Sequence, residues 1–107
     1  MTPASDCCVV LSTTGNREEA EKLAHSLVSN GLAACVQITE ITSYYVWDGK
    51  VNKEPEFLLL VKTTYEAYPK VEEFISQNHS YKVPEIVQLP IHKGLERYLN
   101  WVRESTK

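Results

Sequence analysis

The chain has 107 residues and a formal charge of −3, and it is 43% hydrophobic and 23% charged. That length makes one domain able to bury roughly two-thirds of its unfolded surface, and the balance excludes both a disordered chain and a broad basic surface for nucleic acid. No apolar run approaches the ~20 residues of a membrane span, and residues 1 to 6 lack the basic and apolar regions of a signal peptide; the expectation is one soluble, cytoplasmic domain over residues 1–107, with 1–6 as a disordered tail.

Residues 8 to 11, rich in valine, predict a buried strand, punctuated by Thr13-Thr14-Gly15-Asn16. Asn16 followed by Glu19 has the form of a capping box. Ala20, Leu23, Ala24, Leu27 and Val28 then recur at helical spacing, and Asn30-Gly31 closes the helix. Residues 32 to 41 predict a second strand. It runs into a hairpin over residues 42 to 51, because Asp48-Gly49 is a strong two-residue turn signal. Side chains alternate across a strand, so Tyr45 and Trp47 point one way while Tyr44 and Val46 point the other. Neither face of the arm is polar, so a partner is expected to cover it.

The return arm is predicted over residues 50 to 53, with Glu54-Pro55-Glu56 breaking the ladder because proline cannot donate a hydrogen bond. Residues 57 to 61 form an apolar strand closed by Lys62-Thr63-Thr64. A second helix starts near Tyr68, with Pro69 tolerated in its first turn and Ala67, Val71, Phe74 and Ile75 turned inward. A polar exit, Gln77-Asn78-His79-Ser80, leads to a strand over residues 85 to 91. After the His92-Lys93-Gly94 turn, Leu95, Tyr98, Leu99 and Val102 describe a short terminal helix with Trp101 off the stripe.

Strand, helix, strand, strand, helix, strand is the order of the ferredoxin-like, split βαβ arrangement: an α+β fold with an antiparallel sheet and two helices on one face. A sheet covered on one side should carry polar residues on the other. Residues 8–11 and 57–61 are apolar on both faces. Leaving one face in water would expose more than the few hundred Å² usual for a monomer, so other copies of the chain are expected to bury it.

Groups for chemistry are sparse. The sequence has no Gly-rich phosphate loop, no H-E-x-x-H and no C-x-x-C. Its cysteines, Cys7, Cys8 and Cys35, are odd in number and read as small buried or half-buried hydrophobes in a reducing compartment. Asp48 is explained by its turn, His25 borders the apolar stripe of the first helix, and His92 sits beside Lys93. His79, followed by Tyr81 and Glu85, is the best placed for zinc, copper or nickel, since imidazole and carboxylate form a borderline ligand set. RNA binding on this strand order needs basic, glycine and aromatic residues in one strand, and residues 57 to 63 hold one aromatic and no glycine. No nucleic acid or membrane partner is expected.

Several segments in order resemble the CutA family of divalent-cation tolerance proteins. They are Leu32-Ala33-Ala34-Cys35-Val36, Thr42-Ser43, Trp47-Asp48-Gly49-Lys50, Leu59-Leu60-Val61-Lys62-Thr63, His79-Ser80-Tyr81-Lys82-Val83-Pro84-Glu85, Leu89-Pro90-Ile91 and Tyr98-Leu99-Asn100-Trp101. The resemblance implies a tight homotrimer similar to the PII nitrogen-regulatory proteins, with hairpins carrying Tyr44, Tyr45, Trp47 and Lys50 across to neighbouring subunits. It implies a role in tolerance to divalent metals, copper above all, with no catalytic activity and no required cofactor. The copper-ligand positions proposed for the family fall on Ser12, Asn78, His79 and Glu85 here. A hydroxyl and an amide replace a thiolate and an imidazole, so copper affinity is expected to be weak. Two alternatives stay open: a PII-like module holding a small molecule in clefts between subunits, with Lys62, Tyr81 and Lys82 as polar groups, and a trimeric scaffold for a partner protein.

Overall fold

A computed structural model describes residues 5–107. The elements run β1 (Cys7–Thr14), α1 (Arg17–Ser29), β2 (Cys35–Trp47), β3 (Lys50–Thr64), α2 (Tyr68–Asn78), β4 (Ile86–Pro90) and α3 (Glu96–Ser105). All pairings are antiparallel, in the order β2-β3-β1-β4. This is the expected split βαβ sheet.

Local chemistry sets the element ends. The Asn16 side-chain oxygen accepts the Glu19 N–H at 2.8 Å, which satisfies one of the free donors at the start of α1. The reciprocal half of the capping box is absent: the Glu19 carboxylate turns away to Ser80. α2 begins at Tyr68 with Pro69 in its first turn. At the hairpin tip Trp47 pairs with Lys50, and Asp48 and Gly49 both take positive φ (56° and 72°), as a type I′ turn requires.

Pro55 corrects one expectation. β3 is continuous from Lys50 to Thr64, and Pro55 pairs with Thr42 inside the ladder. β1 pairs with β3 only as far as Thr14↔Phe57, so residues 50–56 have β2 as their sole strand neighbour. The ring nitrogen of Pro55 turns to that open edge, where no carbonyl waits for a proton.

Register divides the sheet into two faces. Val10, Leu59 and Val61 point to α1 and α2 and meet Leu23, Leu27, Val71 and Ile75 in one fully buried core. The alternate residues Val9, Leu11, Leu58, Leu60, Val87 and Leu89 share the opposite face. α3 crosses to that second face and covers one end of it, where Leu99 and Val102 pack on Cys7 and Ala34. The rest stays open, with Val87 43% and Leu89 47% exposed.

Of the tail expected at residues 1–6, residues 1–4 lie outside the described residues. Ser5 and Asp6 are held in place: the Ser5 hydroxyl donates to the Ile91 carbonyl, and the Arg103 Nε donates to the Asp6 carboxylate. That bond holds the Asp6 carboxyl below its ordinary range. All three cysteines are free, Cys7 and Cys8 buried and Cys35 half-buried. Burial pushes the Cys8 thiol up to about 11.

Candidate functional site

The polar loop after α2 meets the end of β1 and the start of α1. His79, the residue that ends α2, has a side chain fully shielded from solvent. Its Nε2 lies 2.6 Å from the carbonyl oxygen of Thr13, a pure acceptor, so Nε2 carries the proton. Its Nδ1 accepts the Tyr81 N–H at 3.0 Å. Both ring nitrogens are therefore engaged. Glu19 completes the surroundings: one carboxylate oxygen accepts the Ser80 N–H at 2.8 Å and lies 3.6 Å from Nδ1, while the other accepts the Ser80 hydroxyl at 2.9 Å.

Tyr81 extends the network to the sheet. Its ring is tilted against the imidazole, with centroids 4.8 Å apart, and its hydroxyl donates to Glu56 at 2.9 Å. Desolvation first, and the Glu56 carboxylate second, push the phenol up to about 12. Gly15 makes room for it, since a β-carbon there would stand 3.1 Å from the Tyr81 hydroxyl oxygen.

The other residues singled out in the sequence lie apart from this network. Ser12 is sealed on the helix-facing side of β1, and its hydroxyl has no hydrogen-bond partner among the described residues. Asn78 donates its amide to Phe74 of its own helix at 2.8 Å. Glu85 is exposed, as are His25 and His92. Among the described residues no three His, Cys, Asp or Glu side chains gather into a cation-holding group. At the family's copper positions, the Asn78 amide and both ring nitrogens of His79 already have hydrogen-bond partners within the chain. Lys62 donates to Gln37 at 2.8 Å and lies 6.0 Å from the Tyr98 ring centre. It is six residues along β3 from Glu56, the partner of Tyr81, a span of about 20 Å. One chain therefore does not unite Lys62 with Tyr81, and Lys82 is exposed in the loop.

The hairpin residues Tyr44, Tyr45 and Trp47 are exposed at 68%, 42% and 67%. Lys50 is exposed beside them. Sequence reasoning missed Glu19 and Gly15. Glu19 was legible as a helix-capping residue but not as a partner of Ser80, which lies 61 positions away.

A family model described as CutA1 divalent ion tolerance protein matches residues 8–105. The chain belongs to the CutA1 family. The divalent-cation tolerance protein CutA of Thermus thermophilus is 50% identical over 99 residues, which cover 92% of this chain and 96% of that protein. The chloroplastic CutA of Arabidopsis thaliana is 45% identical over 92% of this chain, which spans only 55% of that relative's length. Among solved structures, CutA1 of Thermus thermophilus superposes with a TM-score of 0.91 at 49% identity, covering 94% of this chain and 99% of that one. CutA1 of Oryza sativa gives 0.93 at 40% identity over 99% and 98%. CutA1 relatives thus share the whole domain, hairpin and terminal helix included. Among the described residues no helix is long and apolar enough to cross a membrane.

Proposed function

We propose that the protein works in tolerance to divalent cations as a homotrimer of this chain, meeting copper or another divalent cation weakly or indirectly and without catalysis, in the cytoplasm. The observation that carries this reading is the pairing of an open apolar sheet face with a hairpin whose aromatics are exposed on both sides. A surface of that kind is costly in water and cheap in a self-complementary contact. The open apolar surface favours a partner; that it is two further copies rests on the family resemblance. Any cation site gathered from several side chains would then draw on more than one copy, because no single chain assembles one among its described residues.

Sedimentation at micromolar concentration should give about three times the 12.2 kDa chain mass; a monomer there would end this reading. Copper titrated into the purified protein should register only weak binding. A tight, stoichiometric site would replace the indirect role with a direct one.

A further inference from the structure

We infer that His79 is the hub of a latch that closes the 79–85 loop over the end of β1, and that in this chain it is a positioning residue rather than a cation ligand. This goes beyond the proposed function and does not depend on the number of copies.

A neutral imidazole offers a metal one lone pair. Here that pair, on Nδ1, is taken by the Tyr81 amide, and the proton on Nε2 is committed to the Thr13 carbonyl. Both partners are backbone groups, so changing the Thr13 or the Tyr81 side chain leaves the bonding atoms in place. The ring is also closed to solvent, and an entering ion would have to lift the loop first. Glu19 works in the same direction, because both of its carboxylate oxygens hold Ser80. Tyr81 then crosses Gly15 to reach Glu56, the β3 residue immediately beyond the last pair that β1 makes. The loop therefore sits over the end of β1 and ties it to β3 through Glu56 and to α1 through Glu19.

The test uses the whole protein. Ring nitrogen–proton correlations of His79 should show the Nε2–H tautomer, unmoved by one equivalent of zinc, a diamagnetic probe; a ring that follows zinc overturns the inference. Amide exchange at Ser80 and Tyr81 should quicken about tenfold or more in His79→Ala, the loss expected for one hydrogen bond to a buried partner. Copper affinity should stay within about twofold of the unmodified protein, a difference well under one hydrogen bond. Unchanged amide protection together with a tenfold loss of copper affinity would overturn it. Glu19→Gln and Gly15→Ala spare the ring and loosen the same amides, so they carry the exchange measurement if His79→Ala does not fold.

Discussion

The two faces of this sheet are built from the same kinds of residue and have opposite fates. Val10, Leu59 and Val61 are sealed under α1 and α2, whereas Val87 and Leu89, on the alternate face, remain nearly half exposed. Composition does not separate them; the placement of the helices does. A strand apolar on both faces is core on one side and open surface on the other.

The strongest way to break this comparison is to cut the same side chain on each face. Leu59→Ala leaves a cavity in the sealed core and should cost about 2–5 kcal/mol in denaturant unfolding, at any protein concentration. Alkaline titration probes the sealed face chemically. The folded state holds the Cys8 thiol proton up to about pH 11 while the unfolded thiol loses it near 9.0. Stability from this group is therefore complete below pH 9 and is lost as pH rises toward 11, by up to about 1.4 kcal/mol per pH unit. Cys8→Ala should flatten that slope in melting curves recorded across the range.

The sealed face also has one defect. Among the described residues the Ser12 hydroxyl is buried without a partner, so Ser12→Ala removes a desolvated group and should stabilise the fold by about 1 kcal/mol. A loss of stability on that change would show that the hydroxyl is satisfied. The smallest effect is expected on the open face. Leu89→Ala should change unfolding by less than about 0.5 kcal/mol in dilute protein, yet weaken self-association measured by sedimentation. Equal losses from Leu59→Ala and Leu89→Ala in dilute protein would erase the distinction between the faces.

Much of this was legible in the residues. Asp48-Gly49 predicted the turn, Asn16 the cap of α1, and the strand order the sheet. Other features depend on what a residue type cannot disclose. Pro55 reads as a break because sequence does not say that β1 has already ended beside it. The stripe of α3 says that Leu99 and Val102 are buried but not on which face. His79 reads as the best-placed cation ligand of its loop, whereas its partners in the structure are the Thr13 carbonyl and the Tyr81 amide. Every residue carries a carbonyl and every residue except proline an amide N–H, so no pattern of side chains points to them.

The bond between Asp6 and Arg103 spans 97 positions and brings the segment before β1 beside the last helix. The path of the chain is thus nearly a closed ring. A short linker joining these neighbouring segments, with new ends opened in the His92-Lys93-Gly94 turn, would preserve all four strands and their register while making α3 the first element to emerge. Such a circular permutant would start with the helix that covers one end of the open face, and would ask whether that cover can be laid down before the sheet exists.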